Sequence, residues 1–423
     1  MKYGMIYHRY SKNIGDDVQS YAASRLLPQV DYLIEREKLD LFASENDEPV
    51  AAIMSAWYMW AKWHWPPSTS IHPLFVGFHY SDLLRGRPAG MPIRFDFLKG
   101  LGADYLRAQG PIGCRDTYTL ELLQKLEIES YFAGCVTLTL DPPRAPVKPE
   151  REYICLVDVD EKAVALVQKQ LEGTDIEIRV VPHIMEKSLI NVPWEQRQAT
   201  IEELLSLYQN AKCVVTFRLH CLLPCLAMRT PVLLMRENFD SPRFQPYHTW
   251  AHKTTTQDYL DGKCDYSLLS PPPNPETYKE TRDALKQRIS QFLEAAALEP
   301  RRASEISKAP YSAHELMAWQ HDTMRNSLDN WLRESRSDWA KLGKQAAQIA
   351  EQKAKIAKQQ REIAKQKEEL EKQTLELEKR KQANAKLAKA LKAKPKAPAA
   401  DLTKMPKPKK KKSLFGRLAQ ILK

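Results

Sequence analysis

Phe217-Arg218-Leu219-His220 sets a permanent cation two residues from an imidazole. A guanidinium presents planar, bidentate donors to phosphate or carboxylate, and a histidine can carry a proton near neutral pH. The pair suits an anionic substrate and a proton transfer. Two plainer readings carry equal weight: Arg218 pairs with a carboxylate at a strand edge, and His220 only opens a helix.

The flanking residues say how the pair would be held. Cys213–Phe217 is a β-branched run, an apolar segment of helical length continues to Met228, Arg229-Thr230-Pro231 turns, and Val232–Met235 is a second apolar strand. That pattern predicts strand–helix–strand in a parallel sheet, with Arg218 and His220 at the carboxyl end of the first strand. Ligands bind at that edge of open α/β sheets, where a helix N-terminus also offers N–H groups to an anion.

Similar placements occur elsewhere. Asn13-Ile14-Gly15-Asp16 turns the chain between a strand at Tyr3–Tyr7 and a helix at Asp16–Leu27. Asp16 there reads as the helix N-cap, the alternative being a contact to an acceptor in a cleft; Asn13 and Gly15 suit the turn. Arg115 follows a short strand (Gly113–Arg115), and Asp116 reads as the cap of a helix over Thr117–Leu126. His183 lies just past a strand at Ile176–Val181, where a lone histidine is more often structural, and Arg243 sits in the loop Phe239–Phe244.

The remaining elements alternate in the same way. Val30–Glu35, Val50–Ala56, Leu74–Phe78 and Tyr131–Leu138 read as strands, and Phe95–Leu106 as a helix. Asp141–Glu152, with four prolines, reads as a linker. Beyond it come strand Tyr153–Val157, helix Glu161–Leu171, helix Gln198–Asn210 and a closing helix Glu276–Leu298. The fold class expected is α/β, with two Rossmann-like domains facing across a cleft, over residues 1–140 and 153–299. The block Trp57–Trp65 is unusually aromatic and suits a sugar-stacking surface, a lipid-facing surface or a core.

Composition divides the chain again near residue 341. Lys341–Lys423 holds 25 Lys+Arg against 8 Asp+Glu, a net +17, so the first 340 residues carry −6 of the total +11. Residues 300–340 read as a helical segment. From 341 to 394, Leu342, Ile349, Ile356, Ile363, Leu370 and Leu377 recur every seven residues. With these at a, glutamine fills the five d positions between them, which predicts a long helix with weak coiled-coil self-association. Residues 395–423 join a lysine block (Lys407, Lys409–Lys412) to a short amphipathic helix after Ser413. Residues 404–423 thus fit an anionic membrane surface better than nucleic acid, since Phe415 is their only aromatic and lies on the apolar face.

Seven scattered cysteines without a C-x-x-C pair read as buried thiols in a reducing compartment, and no metal site is expected. The N-terminus lacks a signal-peptide run, and no stretch of 18 apolar residues occurs, so a cytoplasmic protein held at the inner face of the cell membrane is expected.

Four elements, in order, resemble those of the polysaccharide pyruvyl transferase family: Asn13-Ile14-Gly15-Asp16, Gly113-Cys114-Arg115-Asp116, Gly134-Cys135-Val136-Thr137-Leu138, and Arg218-Leu219-His220 with Pro231. The resemblance spans roughly residues 3–245; nothing after about 300 has a counterpart. It implies a GT-B-like fold and transfer of the enolpyruvyl carbons of phosphoenolpyruvate onto two sugar hydroxyls, as a ketal, with no cofactor. It further implies His220 as the acid and Arg218 as the donor-binding arginine, with Arg115 and Arg243 as further basic residues at the substrate, while Asn13, Asp16 and His183 are candidates to line it from their positions alone. The acceptor expected is a surface-polysaccharide sugar or its lipid-linked precursor. A nucleotide-sugar glycosyltransferase and a non-catalytic, membrane-recruited scaffold remain the alternatives.

Overall fold

The computed structural model describes residues 1–58, 63–80, 95–184, 192–299 and 311–392. Two compact units divide the chain at residues 338 and 339. The membrane-binding tail expected at 395–423 lies outside the described residues, as do residues 59–62 of the aromatic block. Among the described residues no helix is long and apolar enough to cross a membrane.

Two parallel sheets organise the first unit. One has β1 (Lys2–Tyr7), β2 (Tyr32–Glu35), β3 (Val50–Met54) and β4 (Ile71–Phe75) in the order β2-β1-β3-β4. Beyond it lie α2 (Leu101–Gln109), β5 (Ile112–Cys114), α3 (Thr117–Lys125) and β6 (Ser130–Phe132). The pair β5-β6 continues the sheet through a parallel bridge between Phe78 and Cys114. The other sheet uses β7 (Tyr153–Val157), β8 (Glu177–Val181), β9 (Cys213–Thr216), β10 (Val232–Met235) and β11 (His252–Thr254), ordered β11-β10-β9-β7-β8. Every strand pair is parallel, and the β-branched stretches Val50–Met54 and Tyr153–Val157 are buried along their whole length, as strands covered on both faces must be. In each sheet the chain leaves its first strand to one side and returns on the other. The carboxyl ends of β1 and β3, and of β7 and β9, are therefore the switch points at which ligands dock.

Helices α1 (Ile14–Ser24), α5 (Trp194–Gln209) and α6 (Leu219–Ala227) pack between the sheets and share one apolar cluster with both, through Val18, Tyr21, Leu205 and Leu222. Helices α4 (Glu161–Gln170), α7 (Thr256–Leu260) and α8 (Lys279–Leu298) complete this layer arrangement.

Several boundaries differ from the sequence reading. Asn13, not Asp16, caps α1: its Oδ1 accepts the Gly15 N–H at 3.2 Å, which puts Asp16 inside the first turn. The strand expected at Tyr131–Leu138 ends at Phe132, because Gly134 turns the chain at φ +73 and a 3-10 turn follows at Val136–Thr139. The helix expected at Phe95–Leu106 is broken by Gly100 at φ +51, where a Cβ would also lie 2.9 Å from the Trp319 indole nitrogen. β4 starts at Ile71, three residues before the strand expected at Leu74. α5 starts at Trp194, just after Pro193, rather than at Gln198. Residues 313–392 form one helix, α9 (Ala313–Lys392), with no break at 341. Of the aromatic block, Tyr58 and Trp65 are fully buried among Phe75, Phe78, Phe97 and Tyr105, so these two rings are core.

Candidate functional site

Arg115 leaves the carboxyl end of β5 and is 1% exposed. Its backbone is fixed on both sides: the N–H donates to Phe78 O at 2.9 Å, and the carbonyl accepts the Tyr247 hydroxyl. Its Nη1 donates to Gln19 Oε1 at 3.0 Å and lies 3.5 Å from His220 Nε2. Gln19 Nε2 in turn donates to Asp16 Oδ1 at 3.4 Å, and Ser11 Oγ donates to Asp16 Oδ2 at 2.5 Å. The N-terminal turn of α1 thus holds Arg115 from below through an amide.

His220 owes its place to a proline. Pro224 has no N–H to give to the His220 carbonyl four residues back, and its ring crowds that carbonyl. His220 accordingly departs from helical backbone inside α6, at φ −83 and ψ 16. Its Nε2 faces Arg115 and, at 3.7 Å, the thiol of Cys135, which also receives a contact from Thr137 Oγ1. Gly15 closes the other side: a Cβ there would lie 3.0 Å from both Cβ and Nδ1 of His220. Burial, then the guanidiniums of Arg115 and Arg243, hold the His220 pKa well below the usual histidine range, so the ring is neutral at pH 7.

Arg115 and Arg243 form no ion pair among the described residues, and each has a buried Nε without a partner. Burial, followed by repulsion from Arg115, lowers the Arg243 pKa to about 10. Two guanidiniums that repel one another, beside a neutral imidazole, form a place for an anion. Asp116, whose charge is felt by both arginines, forms an ion pair with neither: it caps α3 through the Thr119 N–H at 2.8 Å and accepts from His79.

Arg218 is differently occupied. Its Nε donates to Asp158 Oδ2 at 2.5 Å, an ion pair spanning the carboxyl ends of β7 and β9. The Asp158 carboxylate also accepts the backbone N–H of His183 at 3.2 Å, and the His183 Nε2 is 2.7 Å from the Tyr208 hydroxyl. Of the residues singled out from sequence, Asn13, Asp16, Arg115 and His220 converge, and Arg243 joins them electrostatically. Arg218 and His183 form a second group on Asp158.

A further set went unread in the sequence. His8 follows β1, is 1% exposed, and has Nδ1 2.9 Å from Ser20 Oγ. Ser20 spends its own proton on Ile6 O at 2.7 Å, so His8 Nδ1 is the donor and Nε2 keeps a free lone pair with no partner. Burial, then Arg36, Arg197 and Arg115, lower its pKa. Arg36, after β2, stacks its guanidinium 4.7 Å from the Trp57 ring and leaves Nη1 unpartnered, as is the nearby Tyr58 hydroxyl. The signal available was position alone: His8 and Arg36 end neighbouring parallel strands.

Comparisons with known proteins bear on this site. Residues 88–238 match the family model described as polysaccharide pyruvyl transferase, a family of transferases. The matched span includes Arg115, His183, Arg218 and His220, and excludes Asn13, Asp16 and Arg243. No curated protein matches the chain. Among solved structures, a functionally uncharacterised protein from Klebsiella pneumoniae subsp. pneumoniae NTUH-K2044 aligns at 10% identity and a TM-score of 0.37, over 60% of this chain and 93% of that one.

Proposed function

We propose, from the polysaccharide pyruvyl transferase match and the unpaired Arg115–Arg243 pair beside His220, that the chain transfers the enolpyruvyl group of phosphoenolpyruvate to two hydroxyls of a sugar. The arginine pair carries the reading. A donor with a phosphate and a carboxylate supplies the negative charge those guanidiniums lack. Two nucleotide-fold lobes facing across the switch points would hold donor and acceptor on opposite sides.

The bound donor would also change His220. An anion beside the ring favours its protonated form, opposing burial and the two arginines. The charged ring then gives its proton to the methylene carbon, and an acceptor hydroxyl oxygen bonds to the cationic carbon. Phosphate leaves, and the second hydroxyl closes the ketal. One hydroxyl proton restores His220 and the other departs with phosphate. The free lone pair of His8, with Arg36 and Tyr58, suits the acceptor hydroxyls, with Asn13 and Asp16 at the rim. Arg218 would hold the donor only by exchanging Asp158 for it, and His183 would steady Asp158.

The acceptor is proposed to be a surface-polysaccharide sugar or its lipid-linked precursor, reached by a cytoplasmic protein whose residues 404–423 lie on the inner face of the cell membrane. Calorimetry with phosphoenolpyruvate tests the donor. Arg115→Met and Arg243→Met should each weaken binding by about 10- to 100-fold, the range for a charge-assisted pair. Undiminished binding in both variants, or release of a nucleotide from a sugar nucleotide in place of phosphate, would overturn the proposal.

A further inference from the structure

All but one of the exposed large apolar side chains described in α9 fall on one line, the exception being Leu375 at f. The register set by Leu342, Ile349, Ile356, Ile363, Leu370 and Leu377 at a can be carried N-terminally past Ser335 at a and Asp338 at d, which interrupt its apolar line. Leu328 then falls at a, and Met317, Met324 and Trp331 at d, all solvent-exposed. Leu332 and Trp339 sit at the adjoining e positions, and Leu387 extends d beyond the glutamines. In the first unit the c, f and g side of the helix is in use. Thr323 and Ser327 are buried, Gln320 donates to Asp40 at 2.9 Å, and Trp319 packs over Gly100. Within the second unit the stripe runs from Leu342 to Leu387, about 45 residues and roughly 70 Å along one face of the helix.

We propose that this stripe is half of a parallel, in-register, two-stranded coiled coil with a second copy of this chain. Charge selects that arrangement. In a parallel pair each g residue meets the e residue five positions on in the other helix. Glu362 then faces Lys367 and Glu376 faces Lys381, while Gln348–Lys353, Lys355–Gln360 and Glu369–Thr374 contain no like charges. An antiparallel pair would set the e lysines 353, 367 and 381 against one another, and the g glutamates 362, 369 and 376 likewise. Asn384, the next a residue after Leu377, favours matched register. The inference is independent of the proposed chemistry.

The full chain should sediment at twice its 48.7 kDa mass. Ile356→Asp with Ile363→Asp should weaken dimerisation by about 100-fold or more, since each buries an unpaired charge in the seam. Both positions are exposed on the lone helix, so the melting transition of the remainder should not move. Gln373→Cys should join the two copies through residue 373 under mild oxidation, because in a parallel pair it faces itself. A monomer at micromolar concentration, a dimer indifferent to the Asp pair, a higher oligomer, or failure of Gln373→Cys to cross-link would each overturn the proposal.

Discussion

Gly15→Ala separates the placing of His220 from the stability of the fold. Gly15 lies in the first turn of α1 with ordinary helical backbone, so alanine gains about 1 kcal/mol of helix propensity. Against that, the new Cβ meets His220 Cβ and Nδ1 at 3.0 Å, a few tenths of an ångström closer than side chains normally pack. Overpacking of this kind costs about 1–3 kcal/mol, so the net loss of stability should not exceed about 2 kcal/mol. The imidazole is the freer partner, because Pro224 has already released its backbone from the helix ladder. If the ring retreats by about 0.5 Å, turnover should fall about tenfold, or 1.4 kcal/mol of barrier. The added Cβ itself meets neither guanidinium, so phosphoenolpyruvate affinity should change much less than turnover, by less than about threefold. Phosphate release, donor calorimetry and thermal melting measured on one preparation check all three. Wild-type turnover in a folded variant, or a donor affinity that falls in step with turnover, would refute the assignment of His220.

Pro224→Ala should move stability and activity in opposite directions: the restored hydrogen bond to His220 stabilises α6 by about 1–3 kcal/mol while the redirected ring lowers turnover about tenfold or more; melting and turnover decide. Arg197→Met should cost about 1–3 kcal/mol in urea denaturation, because it leaves Asp17, 2.8 Å away, 1% exposed and raised by burial to about 7, without its partner, and Asp17→Asn added to it should recover part of the loss. Burial lowers His72 and His79 to about 4, so the unfolded chain binds more protons than the fold below pH 6.5. The two histidines should therefore each withdraw about 2 kcal/mol of stability between pH 7 and pH 5, with His8 and His220 acting in the same direction and Asp17, raised by burial to about 7, opposing them, measured as urea midpoints across that range. Phosphoenolpyruvate binding at pH 7 should draw a proton from buffer as His220 charges; binding heats in phosphate and Tris differ if it does and coincide if it does not.

Much of the scaffold was legible because it rests on local pattern. The β-branched run and turn around Cys213–Met235 specify β9, α6 and β10 within a residue or so at each boundary, and the seven-residue spacing specifies α9 from Leu342 to Leu377. Boundaries failed where one backbone special intervened, as at Gly100 and Gly134, or where a cap was misassigned: Asp16 has the right chemistry, but Asn13 stands where the first free N–H groups can be reached. The convergence of Arg115 with Gln19 and His220 was beyond local reading, since 96 and 105 residues separate the partners. Arg218 looked the stronger arginine because it neighbours His220 in the chain. Only the three-dimensional position of Asp158 distinguishes an occupied guanidinium from an unoccupied one.

The two sheet edges that meet at this site are stitched together. Ile14 N–H donates to His183 O at 3.0 Å, Asn13 and Ile184 form an antiparallel bridge, and Arg197 reaches Asp17 and the carbonyls of His8 and Arg9. Parting them would break all of these contacts together, so a clamshell cycle is a poor fit for this chain, and a movement that admits substrate would leave the stitched seam shut.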